Sequence, residues 1–244
     1  MSTQTRLTED VVTITTPDGD MECFVAWPAS DAITAYPPVI LYMDAPGVRG
    51  ELYDFVRRIA AQGYIAIIPN LYYRYGVRDP GGQMMAMLDA HTNGMIISDT
   101  RAMIDWLDAH PNALSGPMGC IGYCMSGKFV LAVTCRFPER FKAMASLYGV
   151  SHVTRKSDSA HLLIPNIESD CSLYFGFAAH DPYVPDAEIK ALDACLSENN
   201  VDYVLEKVPN TEHGFAFPQR MTYNHDAAER HWDIAFALFA RKLK

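Results

Sequence analysis

Short apolar runs alternating with segments of helical period constrain this chain more than any other feature. PPVILYMDA (37–45) and YIAIIPN (64–70) are too short for helices and carry Pro, Gly or Asn at or just past their ends, which reads as buried strands. PMGCIGY (117–123), FKAMASLYG (141–149) and SLYFGFAA (172–179) read the same way, and DYVLEKVP (202–209) alternates as a strand. Between them, ELYDFVRRIAAQ (51–62) spaces its apolar residues helically and stops before Gly63. Further helices are expected near 83–90, over 95–109, within SGKFVLAVTCRF (126–137), over 186–199 and over 223–243. Upstream, VVTIT (11–15) and CFVAW (23–27) flank TPDGDME, whose Asp18-Gly19 pair signals a hairpin turn. Buried strands alternating with helices imply a mostly parallel sheet covered on both faces, here preceded by an antiparallel hairpin.

Length and charge narrow the function classes. The 244 residues, 49% hydrophobic and 20% charged, suit one large domain. No repeat, low-complexity tract or linker divides the chain, so residues 1–244 are read as a single domain, with 1–9 as a flexible extension. A formal charge of −9 without a basic run argues against nucleic acid and anionic membrane as partners. The N-terminus, MSTQTRLTEDVV, lacks a basic segment leading into an apolar one, and no apolar stretch approaches the ~20 residues of a membrane span. Cys23, Cys120, Cys124, Cys135, Cys171 and Cys195 are scattered, mostly in apolar segments, a pattern of reduced thiols. A cytoplasmic protein, monomeric or homodimeric, is expected.

GCIGYCMSGKFVLAVTC, from residue 119, places a cysteine where G-x-S-x-G has its nucleophilic serine. A nucleophile on a sharp strand-to-helix turn needs small neighbours, because strand and helix pass close by. Gly122, Ser126 and Gly127 supply them, and the helix N-terminus favours a thiolate at Cys124. The Met125 N–H would then face an oxyanion. The competing reading is a buried core cysteine.

An acid and a base follow in order. SLYFGFAAHDPYVP ends a strand at His180-Asp181-Pro182, and acids of this kind sit on loops at carboxyl ends of strands. Asp170 begins the same strand, at the wrong end; Asp186 is the next alternative. Asp181 before Pro182 is also an ordinary turn former. His213 lies five residues past Val208, with Gly214 beside it. The order Cys124, Asp181, His213 is nucleophile–acid–base as in α/β-hydrolases, each member after a strand.

With GYCMSG around Cys124, AAHDPYVP around Asp181, EHGFAF around His213 and YMDAPGVRG after the strand at 39–42, the chain resembles the dienelactone hydrolase (carboxymethylenebutenolidase) family from about residue 10 onward. The resemblance implies an α/β-hydrolase fold, an ester or lactone substrate of enol-lactone type, and no cofactor or metal. It implies Cys124 as nucleophile, His213 as base and Asp181 as the residue orienting it. It also implies that the Ala45 N–H joins that of Met125 in an oxyanion hole. A family glutamate that contacts the resting thiol corresponds to Asp44, one methylene shorter. The family holds a substrate carboxylate with two arginines, one of them four residues after the histidine. That position is Phe217 here, with Arg220 three residues further on. Arg74 and Arg78, in LYYRYGVRDPGG, are candidates for the other. Tyr123, beside the nucleophile, completes the expected substrate-binding set.

Other readings are weaker. Cys120 and Cys124 lie across a strand and turn, with no C-x-x-C or H-x-x-x-H, so zinc is not expected. LYYRY (71–75) lines a pocket mouth or packs its own loop. No G-x-G-x-x-G or P-loop supports a nucleotide. HWDIAFALFARKLK (231–244) reads as core packing. A glutamine amidotransferase-like cysteine amidase would place an H-x-E pair at the base, but Gly214-Phe215 follows His213. A non-catalytic binding protein on the same scaffold is the remaining alternative, and labelling of Cys124 separates it from an enzyme.

Overall fold

The structure is a computed structural model that describes residues 5–30 and 34–244. Its strands form one eight-stranded sheet in the order β1-β2-β4-β3-β5-β6-β7-β8. The hairpin β1 (Leu7–Thr16) and β2 (Gly19–Pro28) is antiparallel, and β2 runs antiparallel to β4 (Ile65–Pro69). From β4 through β3 (Pro38–Tyr42), β5 (Met118–Tyr123), β6 (Phe141–Leu147), β7 (Ser172–His180) and β8 (Asp202–Glu212) all pairs are parallel. Every residue of β3, β4, β5 and β6 is buried, as the unbroken apolar runs require of strands covered on both faces.

The helices α1 (Gly50–Ala61), α2 (Met84–Ala90), α3 (Asn93–Ala109), α4 (Gly127–Arg136), α5 (Asp186–Glu198) and α6 (His225–Leu243) fall where the sequence places them. Thr92 caps α3 by accepting the Met95 N–H, and Asn224 caps α6 by accepting that of Ala227. Strand alternation sorts β5 between two layers. Tyr123 points toward Phe55 of α1 and His231 of α6, and a side chain at Gly119 would meet Phe239. Cys120 instead faces Val130 and Thr134 of α4.

Two boundaries differ from the sequence reading. β1 begins at Leu7, so residues 7–9 are strand rather than extension, and Glu9 pairs with Arg57 of α1. Residues 1–4 lie outside the described residues. At the other edge, β8 continues past Pro209 to Glu212. Asn210 takes a left-handed turn (φ 58°) and the β7–β8 register shifts between Ala178 and His180. Thr211 accepts the Ala179 N–H and donates to the Val208 carbonyl, which ties this irregular stretch together.

Among the described residues no helix is long and apolar enough to cross a membrane, and no group of three or more His, Cys, Asp or Glu is placed to hold a metal.

Candidate active site

Cys124 sits where β5 turns into α4, in the left-handed region with φ 53°. A non-glycine residue there is strained, and such strain is held only where the surroundings over-determine it. The surroundings are tight. A Cβ on Gly122 would lie 2.7 Å from Val130 Cγ1 and 2.8 Å from the Ser126 carbonyl oxygen. One on Gly127 would lie 2.3 Å from Gly149 Cα. The Cys124 carbonyl accepts the Val150 N–H at 3.0 Å, and Ser126 Oγ donates to the Met43 carbonyl at the end of β3. The elbow is thereby fastened on both sides, and Cys124 is left partly exposed toward a cavity.

Asp181 and His213 meet at the ends of the two edge-side strands. His213 Nδ1 donates to Asp181 Oδ2 at 2.8 Å, which fixes the ring and leaves Nε2 as its free nitrogen. Nε2 is buried and has no hydrogen-bond partner among the described residues. Tyr148 and Tyr183 pack edge-on against the ring, with centroids 5.0 and 4.8 Å away. Burial lowers the pKa of His213, but the Asp181 carboxylate and Cys124 outweigh it and raise the value to about 9.

A cavity of about 470 Å³ opens over these residues. Cys124, His213, Ala45, Met125 and Arg220 all line it, together with Met84, Met85, Leu88, His91, Val150, Ser151, Lys156 and Asp158. Ala45 and Met125 thus line the same cavity as Cys124. Tyr72 links their segments by donating to the Ala45 carbonyl at 2.6 Å and approaching Met125 Sδ at 3.7 Å.

The remaining sequence candidates are distributed differently. Asp44 is fully buried, and its carboxylate is taken by Arg49 (2.5 Å) and Arg220 (2.6 Å). Among the described residues no hydrogen bond joins it to Cys124. Arg220 does reach the cavity, because successive turns at Phe217 and Arg220 fold the chain back over Gly214. Arg74 and Arg78 do not line it. Arg74 is held between Asp18 and Asp99, and Arg78 pairs with Glu22. Their charges are neutralised by carboxylates far away in sequence, which local pattern does not reveal. Tyr123 and Phe217 are wholly buried, in tilted ring contacts with Phe55 and edge-to-face with each other, and the Tyr123 hydroxyl bonds His231. They support the floor of the site and do not line the cavity. In the LYYRY segment, Tyr72 braces the elbow while Tyr73 bonds Thr16 and Asp99, so the tyrosines mostly pack.

The sequence reading missed Arg49, Lys128 and the wall at 150–159. Arg49 follows Gly47 in the loop after β3 and grips Asp44 and Glu51, its near neighbours in sequence. Lys128 has a local signature: it is a cation in the first turn of α4, followed by a run of residues, 129–135, that is buried throughout.

The model of the dienelactone hydrolase family matches residues 21–243. A Synechocystis sp. protein named "Putative carboxymethylenebutenolidase" is 29% identical over 98% of this chain and 100% of its own length. Two solved structures share the fold over nearly the whole of both chains. A "Putative Dienelactone Hydrolase" of Klebsiella pneumoniae has a TM-score of 0.86 at 20% identity, covering 97% of this chain and 99% of its own. A dienelactone hydrolase-like promiscuous phosphotriesterase from metagenomic libraries has a TM-score of 0.83 at 19% identity, covering 98% and 99%.

Proposed function

The chain belongs to the dienelactone hydrolase family and is a hydrolase of the ester and lactone type, and from that premise we propose that it acts on enol-lactones and activated esters through Cys124, His213 and Asp181. One observation carries this reading: a strained cysteine and a histidine already oriented by a carboxylate line the same cavity.

In this reading His213 takes the Cys124 proton at Nε2, giving a thiolate–imidazolium pair. The thiolate attacks the carbonyl carbon, and the oxyanion rests on the backbone N–H groups of Ala45 and Met125. Collapse expels the enolate or phenolate, which receives the proton from His213, and leaves a thioester on Cys124. Water, deprotonated by His213, then attacks the thioester and returns the thiol. Asp181 keeps the imidazole in its useful tautomer and stabilises its charge without becoming protonated.

The choice of sulfur bears on substrate. A cysteine thiolate, of ordinary pKa ~8.5, leaves a tetrahedral intermediate far more readily than an alkoxide, so alkyl esters revert to substrate. Enolates and phenolates compete on better terms. A screen of lactones and of matched aryl and alkyl esters against wild type and Cys124→Ala tests the reading. Activity on enol-lactones and aryl esters that vanishes in the variant is expected. Equal kcat/KM for an aryl and an alkyl ester of one acyl group, with acylation limiting both, would contradict the substrate assignment.

A further inference from the structure

The three most exposed large apolar side chains among the described residues are Met221, which is fully exposed, Tyr183 at 67% and Met85 at 65%. All three border the candidate site. Single exposed apolar residues are ordinary, whereas several around one opening mark a surface that a ligand covers. They divide between two hollows. Met85 lines the cavity that holds Cys124, Ala45 and Met125. Met221 lines a second cleft of about 510 Å³, which shares Tyr183, His213 and Arg220 with the cavity but not Cys124, Ala45 or Met125.

The chain holds Met221 and Tyr183 in these places. Arg220 is bonded to Asp44, and Thr222 Oγ1 donates to the His213 carbonyl at 3.0 Å, so both neighbours of Met221 are tied down. The Tyr183 N–H donates to Asp181 Oδ1 at 2.9 Å, and its ring packs edge-on against that of His213. The cleft is also balanced in charge. Its two guanidiniums, those of Arg49 and Arg220, lie against the carboxylates of Asp44 and Glu51. An uncharged ring therefore suits it better than an ion.

During acyl transfer the carbonyl oxygen must face the oxyanion donors, and the leaving oxygen must face the proton on His213. Cys124, Ala45 and Met125 border the cavity alone, whereas His213 borders both hollows. We propose that the cleft beside Tyr183 and Met221 receives the leaving group, an uncharged aryl or cyclic enol ring, while the acyl portion lies along Met85 and Leu88 in the cavity. Once the bond from Cys124 Sγ to the carbonyl carbon has formed, the ester C–O bond breaks. The departing oxygen takes the His213 proton and leaves through the cleft as a neutral phenol or enol. This assignment rests on the hydrolase reading above and adds to its substrates acyclic esters with a ring on the oxygen side.

The test compares phenyl with 2-naphthyl acetate, which differ in leaving group, and phenyl acetate with phenyl hexanoate, which differ in acyl group. Wild type, Met221→Ala, Tyr183→Ala and Leu88→Ala are assayed, with circular dichroism to verify folding. Relative to alkaline hydrolysis of the same pair, wild type should favour the naphthyl ester about tenfold in kcat/KM, as burial of a further ring allows. That preference should fall severalfold in Met221→Ala and Tyr183→Ala and persist in Leu88→Ala. The preference for hexanoate should fall in Leu88→Ala and persist in Met221→Ala. A naphthyl preference that is absent from wild type, or unchanged in both cleft variants, overturns the proposal. A second arm does not depend on turnover. In protein carrying [13C-methyl]methionine, 2-naphthol should shift the Met221 methyl signal, assigned by its loss in Met221→Ala, ahead of those of Met84 and Met85. If no ester is cleaved the hydrolase reading fails, while a selective Met221 shift still upholds the cleft. A shift confined to Met84 and Met85, or none at all, rejects it.

Discussion

His180 and Glu212 are partners across the β7–β8 ladder, and Asp181 and His213 are the residues that immediately follow them. The acid and the histidine are therefore set side by side by strand register, not by the loops that carry them. The register shift between Ala178 and His180 and the left-handed Asn210 make that pairing possible. The resulting bond runs 2.8 Å from His213 Nδ1 to Asp181 Oδ2, just past the ends of the two strands.

Replacing Asp181 by Asn should keep the fold and lower kcat on an aryl ester by up to roughly four orders of magnitude, since an amide favours the wrong tautomer of His213. The check is steady-state kinetics alongside thermal melting. An unchanged kcat would assign the acid to another residue, with Asp186 the next to test.

His213 gives a pH prediction with a definite sign. Its folded pKa of about 9 lies above the ordinary ~6.5 of histidine. Its partners' contribution to stability is then fully present below about pH 6.5 and is lost as pH rises through about 9. Melting temperature should decline across that window, and kcat/KM should show an alkaline limb near pH 9 that moves down in Asp181→Asn. A limb that stays in place in the variant would separate it from the His213–Asp181 pair.

A brief iodoacetamide pulse at neutral pH should label Cys124 before any other cysteine. Burial pushes the thiols of Cys23, Cys120, Cys135 and Cys171 upward, and Cys195 is also raised by desolvation. Cys124 alone among the cysteines lines the cavity. Peptide mapping that finds Cys23 or Cys195 labelled first would count against the elbow.

Asp44 has a structural task that activity alone would not reveal. Asp44→Asn leaves Arg49 and Arg220 without their shared carboxylate, and the expected loss is about 2–3 kcal/mol. That lies below the ~3–5 kcal/mol of a fully buried pair because both guanidiniums keep some solvent contact. For a chain of this size the melting temperature should fall by roughly 5–10 °C. A melting temperature equal to wild type would show that the clamp contributes nothing.

Much of this was legible because it depends on local pattern. Apolar runs of strand length gave the buried sheet, and the glycines around Cys124 marked a turn where backbone meets backbone. Asp181 and His213 were readable from their places after strands, although the length of β8 was not. Pro209 and Asn210 suggest an end, whereas the pairing with β7 carries the strand on to Glu212. What stayed hidden was long-range charge pairing. Nothing near Arg74 in sequence announces Asp18 or Asp99, and nothing near Asp44 announces Arg220, 176 residues away. The fold brings such partners together, so Lys128, Lys156 and Arg220 line the cavity while the arginines of the tyrosine-rich loop pair with carboxylates elsewhere.

The covalent intermediate tests the account most directly. Wild type mixed with an aryl ester and quenched within a turnover should show a burst of phenolate and an acyl mass on the peptide containing Cys124. Both should be absent from Cys124→Ala. An acyl group mapped to another residue, or turnover in Cys124→Ala at the wild-type rate, would contradict the proposal that Cys124 is the nucleophile.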